Sequence, residues 1–166
     1  MPSSITEAAL SEALARLAAD CAALALPDPL LVGIETGGVW LAGWLHARLG
    51  VGAPLASLDP GFYRDDLRRG GLKGQVRPSQ LPPRIDDRHV LLVDDVLHTG
   101  RTVQAALREL FDFGRPACVR LAVLVDRGGR ELPLCADAVG LRLDLRPGQR
   151  LRISGPDPLR LDVEET

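Results

Sequence analysis

"HVLLVDDVLHTGRTVQAALREL", residues 89–110, carries three local patterns in succession. A run of buried-type residues ends on two adjacent carboxylates, Asp94 and Asp95. A short loop with Thr99, Gly100 and Thr102 follows. A segment with apolar residues at helical spacing comes next. "HVLLVDD" reads as a strand. "RTVQAALRELFDFG" reads as a helix, with Gly114 at its C-terminal end and Pro116 beyond.

The same alternation extends to both sides. Near the N-terminus, Ser4 and Glu7 have capping-box spacing. Leu10, Leu14, Leu17, Cys21 and Leu24 then share one helical face, and Pro27 and Pro29 end that helix. "LLVGI", Leu30 to Ile34, is a short strand, and "ETGG", Glu35 to Gly38, a tight loop. "VWLAGWLHARLG" is a helix that Gly50 ends, with Trp40 and Trp44 suited to core or subunit contact. "APLASLD" reads as a strand. Residues 60–83, with four Gly, four Pro and many charges, suit a projecting flexible loop. "ACVRLAVLVDRGG" is a strand ending in a charged, Gly-rich loop. The tail holds short strands in "DAVGLRLDL", "RLRISG" and "LRLDV".

Apolar strands alternating with helices predict an α/β fold with a mainly parallel sheet covered on both faces. Ligands in such sheets bind outside the C-terminal strand ends. Three loops are expected there: Glu35–Gly38, Asp94–Thr102 and Asp126–Arg130. The 166 residues fit one domain, 1–166, with a small strand-rich addition built from 1–28 and 137–166.

Composition narrows the function classes. The formal charge of -2 gives no global pull toward nucleic acid or membrane. All but one of the 20 basic residues are Arg, Lys73 being the exception. The cysteines, Cys21, Cys118 and Cys135, are odd in number and lack metal-type spacing, so free thiols in a reducing compartment are expected. The first twenty residues have no signal-peptide pattern and no apolar run is long enough to span a bilayer. A cytoplasmic protein is expected.

Thr99, Gly100 and Thr102 stand at a helix entry, where free N–H groups and the helix dipole attract anions. Gly100 lets the backbone curl around a phosphate, and the hydroxyls add hydrogen bonds. Asp94 and Asp95 would repel that phosphate, so sugar hydroxyls and Mg2+ are their natural partners. The combination suggests a ribose phosphate. A Walker B strand is the nearest rival, but no G-x-x-x-x-G-K-S/T occurs in the chain. A phospho-acceptor pocket would not need the Thr-Gly-x-Thr tail. A strand end whose aspartates only cap the next helix is the plain structural alternative.

"VLLVDDVLHTGRT" resembles the phosphoribosyl pyrophosphate (PRPP) signature of type I phosphoribosyltransferases. With "FYRDDL", "FGRPACVRLAVLVDRGGRELP" and "VGIETGGVWLA" it resembles the PyrR family, pyrimidine operon regulators that also act as uracil phosphoribosyltransferases. The resemblance runs from about Leu31 to about Gly140. It implies the phosphoribosyltransferase fold, and a reaction of uracil with PRPP giving UMP and pyrophosphate, with Mg2+. It implies that Asp94 and Asp95 hold ribose hydroxyls near the metal, mostly through substrate or water. Thr99, Gly100, Arg101 and Thr102 would hold the 5-phosphate, with Val96, Leu97 and His98 before them also counted as substrate-binding. Thr36, Gly37 and Gly38 would face pyrophosphate, and Val125, Asp126 and Arg127 would border uracil. Tyr63 and Arg64 would ride on the projecting loop as a lid, Arg64 taking part in catalysis. UMP or UTP would be the sensed nucleotides, a messenger-RNA leader a candidate partner, and a homodimer or larger assembly the expected state. The alternative is a regulator that binds UMP or UTP without catalysis.

Two departures stand out. Family members often have Lys-Thr-Arg-Gly where this chain has Glu35, Thr36, Gly37 and Gly38. Their Gly-His-Arg-Glu is here Gly128, Gly129, Arg130 and Glu131. For RNA, Arg142, Arg146, Arg150 and Arg152 form either a basic stripe or the polar side of a hairpin, the second reading being preferred. His46 and His89 have no partner that suggests chemistry, and His98 is assigned none. Asp65 and Asp66 read as solvated loop charges. Glu131 is expected to pair with Arg127 or Arg130.

Overall fold

The computed structural model describes residues 3–63 and 78–165. Among these lie strands β1 (Ser3–Ser4), β2 (Leu30–Ile34), β3 (Ala56–Leu58), β4 (His89–Leu97), β5 (Cys118–Asp126), β6 (Ala138–Arg142), β7 (Gln149–Ser154) and β8 (Arg160–Glu165). The helices are α1 (Glu7–Ala23), α2 (Gly37–Leu49) and α3 (Arg101–Asp112). The main sheet has the order β3-β2-β4-β5-β6, and every pairing in it is parallel.

The central strands are apolar runs because helices cover both faces. Leu31, Leu91, Val93, Ala122 and Leu124 pack with Leu10 and Leu17 of α1 and Leu41 and Leu45 of α2. Their neighbours Leu30, Val32, Val90, Leu92, Leu121 and Val123 face the other way, onto Val103, Ala106 and Leu110 of α3. The period-2 alternation of strand side chains thus feeds two cores. From β2 the chain steps outward to β3, then returns across β2 to β4 and continues to β5 and β6. The order therefore reverses between β2 and β4. α2 leaves toward one face and α3 toward the other, which opens a crevice at the two strand ends.

Several boundaries differ from the sequence reading. β4 runs through Asp94 and Asp95 to Leu97, because Val96 and Leu97 find parallel partners in Val125 and Asp126. The acidic pair is therefore on the strand, and the loop is only His98–Gly100. α2 starts at Gly37, so half of the expected "ETGG" loop is helix. α1 is capped by Thr6, whose Oγ1 accepts from Ala9 N at 3.2 Å, rather than by Ser4. Ser4 is drawn into β1, opposite Asp162 of β8.

"DAVGLRLDL" does not belong to a terminal addition. Its residues Ala138–Arg142 form β6, the fifth strand of the main sheet. α1 lies over that strand, and Arg16 donates to Gly140 O at 3.1 Å. The addition is instead the three-stranded antiparallel sheet β1-β8-β7. At the expected projecting loop, Pro60–Tyr63 is a 3-10 turn against α3, and Gln80 bridges back to Ser57. Residues 64–77, with Arg64, lie outside the described residues.

Candidate active site

The crevice begins with two glycines. A Cβ on Gly37 would lie 2.3 Å from Asp95 Oδ2 and 2.7 Å from Ile153 Cγ2. One on Gly38 would lie 2.5 Å from Val93 O and 3.1 Å from Asp94 Cα. Only glycine lets the start of α2 press against β4 here, so the first turn of that helix abuts the acidic pair. Asp94 is buried, and its Oδ1 accepts from Asp95 N at 2.9 Å. Asp95 is half-buried, and its Oδ1 accepts from Val96 N at 2.8 Å. One oxygen of each carboxylate is thus committed to the strand's own backbone, which fixes the orientation of the other. Thr36, next to Gly37, is exposed, and the Glu35–Thr36 peptide is cis. Ile153 of β7 brings the small sheet over this point.

Beyond β4 the chain turns through His98, Thr99 and Gly100 into α3. Gly100 is the N-cap with φ 93°, a left-handed conformation that favours glycine. Thr99 Oγ1 accepts from Arg101 N at 3.2 Å, which leaves its O–H proton to donate. Thr102 is half-buried in the first turn, and Arg101 is exposed. Leu97 points into the core under α3, so only its backbone can serve a ligand; Val96 is half-buried.

The loop after β5 leans on this turn. Arg127 N donates to Leu97 O at 3.0 Å, and Glu131 N and Leu132 N both donate to Thr99 O. Val125 is fully buried, while Asp126 and Arg127 are half-buried. Asp126 pairs with Arg130 at 2.7 Å and accepts from Gly128 N at 3.0 Å. Burial pushes the Asp126 carboxyl up, but the Arg130 hydrogen bond, the Gly128 N–H and the nearby Arg130 and Arg142 charges outweigh it. The carboxyl is held below its ordinary value. Glu131 pairs with Arg101 at 2.7 Å, not with Arg127 or Arg130 as the sequence suggested. The turn carries it back to the entry of α3. The His98 ring stands over Gly129, where a Cβ would be 2.8 Å from Nε2. Burial first, then the Arg127 and Arg130 cations, lower its pKa against the opposing pull of Glu131. Arg127 Nε is buried and has no hydrogen-bond partner among the described residues. Such a donor is costly unless something bound supplies an acceptor.

The structure therefore brings Thr36, Gly37 and Gly38, the Asp94–Thr102 segment, and Val125–Arg127 to one end of the sheet. Tyr63 closes the short turn after β3, and Arg64 is outside the described residues. Arg150 and Arg152 sit elsewhere, on β7 of the small sheet, with Arg146 before that strand, whereas Arg142 ends β6 of the main sheet beside Asp126. Arg150 and Arg152 both bind Glu164, at 2.9 and 3.2 Å, and Arg146 lies 3.6 Å from Glu165. Arg150 and Arg152 are thus the polar side of the β7–β8 hairpin, with acidic partners, and the four arginines do not share one hairpin. Sequence reasoning placed Arg130 in a ligand-side loop without giving it a role, and did not find Ile153. The partners of Arg130 and the position of Ile153 arise through long-range packing, and no local spacing announces that.

Among the described residues no group of three or more His, Cys, Asp or Glu side chains is arranged to hold a metal. The two carboxylates of β4 suit a hard cation that takes most of its ligands from phosphate and water.

A model of the phosphoribosyl transferase domain matches residues 3–145. A protein of Nitrosococcus oceani named bifunctional protein PyrR is 55% identical over 138 residues, covering 82% of this chain and 78% of the relative. One of Pseudomonas fluorescens with the same name is 48% identical over 158 residues, covering 95% and 94%. Among solved structures, a hypoxanthine-guanine phosphoribosyltransferase of Bacillus anthracis superposes with a TM-score of 0.67 at 18% identity, covering 84% of this chain and 82% of that one. It shares the fold. A purine phosphoribosyltransferase of Pyrococcus horikoshii gives 0.62 at 26% identity, covering 84% and 86%.

Proposed function

The chain belongs to the PyrR family of type I phosphoribosyltransferases, and on that premise we propose that it joins uracil to PRPP, giving UMP and pyrophosphate. The N1–C1′ bond forms, the C1′–oxygen bond to pyrophosphate breaks, and the N1 proton leaves. A sugar cation developing at C1′ needs no protein nucleophile. It needs the sugar held in place and the departing charge met by fixed dipoles. Thr99–Thr102 at the start of α3 hold the 5-phosphate in this reading, and Asp94 and Asp95 hold the ribose hydroxyls. The backbone of Thr36–Gly38 receives pyrophosphate, and Arg127 offers its unpartnered Nε to the ligand. Tyr63 and Arg64 are assigned to the substrate and to catalysis on the family resemblance alone. Asp94 and Asp95 would hold Mg2+, chiefly through water and substrate, and the ion would supply neutralisation of the departing charge.

The observation that carries the reading is the contact of Gly37 with Asp95 beside the glycine-capped start of α3. The start of α2 abuts the acidic pair there, and the start of α3 follows three residues after Asp95's strand ends, on the other face of the sheet. The test is UMP formation from uracil, PRPP and Mg2+, with hypoxanthine and guanine as competitors. Absence of UMP, or preferred use of a purine, would sink it.

Nucleotide-dependent regulation of pyrimidine genes belongs to the same proposal, with UMP or UTP read by this crevice. The pairing of Arg146, Arg150 and Arg152 with Glu164 and Glu165 leaves their hairpin a poor RNA face. A cytoplasmic setting fits the three unbridged cysteines, and no helix among the described residues is long and apolar enough to cross a membrane.

A further inference from the structure

Arg130 makes contacts in three directions at once. Its Nε donates to Leu134 O at 2.9 Å, its Nη1 to His98 O at 2.8 Å, and its Nη2 to Asp126 Oδ2 at 2.7 Å. A longer approach of 3.5 Å links Nη1 to Leu97 O. Asp126 is itself fixed by Gly128 N. The guanidinium is thus held on the base-side loop and grips the carbonyl just before Thr99. We propose that Arg130 is a positioning residue for the 5-phosphate, acting through the direction of the Thr99 N–H. This rests on the phosphoribosyltransferase reading of the site.

The physical step is short. A trans peptide is planar, with its C=O and N–H on opposite sides. Drawing His98 C=O toward Arg130 turns Thr99 N–H away from the base-side loop, toward the space in front of α3. Thr99 O is drawn back in turn by Glu131 N and Leu132 N, which turns Gly100 N–H the same way. Two successive donors are thereby set before the ligand arrives, so binding need not order them. Gly100, with φ 93°, has no side chain to resist rotation, so the bracing must come from across the crevice. Only Arg offers a rigid fork with donors in three directions; Lys would satisfy one or two of the three acceptors.

The test compares wild type, Arg130→Gln and Arg130→Lys by calorimetric titration with ribose 5-phosphate and with PRPP, and by KM for PRPP and for uracil. Losing a charge-assisted hydrogen bond from the brace corresponds to about a tenfold weaker ribose 5-phosphate affinity in Arg130→Gln. Arg130→Lys falls between. KM for PRPP rises while KM for uracil changes by less than about twofold. In wild type the Thr99 and Gly100 amide resonances shift when ribose 5-phosphate is added; in Arg130→Lys those shifts shrink. If both KM values rise together in step with a lower Tm, Arg130 is only a brace of the fold and the inference fails. It fails equally if both variants bind ribose 5-phosphate as wild type does. A wild-type protein that binds neither PRPP nor ribose 5-phosphate overturns the underlying reading at the first titration, a result distinct from either. If Arg130→Gln does not fold, Arg130→Lys and its amide shifts decide.

Discussion

Gly37→Ala adds one methyl group where α2 meets β4. Gly37 is not in the left-handed region, so alanine suits the backbone and the effect is steric alone. The methyl would sit 2.3 Å from Asp95 Oδ2, 2.9 Å from Asp95 Cγ and 2.7 Å from Ile153 Cγ2. Ile153 is half-buried on the small sheet and can give way. Asp95 cannot turn without loosening its 2.8 Å bond from Val96 N. Overpacking of this kind costs roughly 1–3 kcal/mol, and better helix propensity in a first turn returns less than about 1 kcal/mol. For a domain of this size the net is a Tm loss of up to about 12 °C. The carboxylate moves by about an ångström, and misplacement on that scale costs on the order of 100-fold in rate. We therefore expect kcat/KM for PRPP to fall about 100-fold in a UMP-formation assay, while the protein still folds. Gly43→Ala, six residues further along the same helix, is the internal control. Among the described residues its Cβ would meet only Leu55 Cδ2, at 3.8 Å. It should gain roughly 0.5–1 kcal/mol and keep full activity. Wild-type kcat/KM in Gly37→Ala, or equal damage from the two substitutions, would refute the argued contact between the pyrophosphate-side turn and the acidic pair.

Asp95→Asn keeps the side-chain volume and removes a charge; folding should stay near normal by circular dichroism while PRPP use drops steeply. Unchanged kinetics would take the aspartates out of the mechanism. In native protein, exposed Cys135 should react with a maleimide first and Cys21 last, because burial, then Asp20, pushes the Cys21 thiol up to about 12. Mass spectrometry of the labelled peptides checks the order, and equal rates would contradict the packing of α1 on the sheet. The Asp126–Arg130 pair sets an acid limit. The Asp126 pKa is lower folded than unfolded, so its contribution is complete above the unfolded value near 3.8 and is lost as pH falls through the folded one. Urea midpoints measured from pH 6 to pH 3 should show that loss in wild type and not in Asp126→Asn.

Local signals marked most of the frame. "LLVGI" became β2 with the predicted ends, and Gly50 closes α2 in the left-handed conformation its sequence position suggested. The strand, the glycine turn and the helix of residues 89–112 were legible because each follows from short-range chemistry: apolar runs, a Gly at a helix entry, and 3.6-residue spacing. What the sequence could not show depends on distant partners. The sequence ends the strand at Asp95 because polar residues usually close a buried strand, but β5 continues the ladder past the pair to Leu97. β6 looked like part of a tail, yet its free edge position beside β5 and the covering face of α1 claimed it. Ser4 carried a cap signal that pairing with Asp162 overrode. At the site, the residue types of all three loops were legible, whereas the cross-loop grip of Arg130 and the partner of Glu131 arise only when the turns meet.

β1 pairs Ser3 with Val163, two residues separated by nearly the whole chain. A growing polypeptide can lay down β2 to β5, and with them the glycine turn and the acidic pair, long before β8 exists. The small sheet must wait, and closing so long a span carries the largest loop entropy in the molecule. Because Ile153 reaches Gly37 from that sheet, the roof over the crevice is the last piece to arrive. A nascent chain still tethered at its far end would display the floor of the binding cleft, open to water from above.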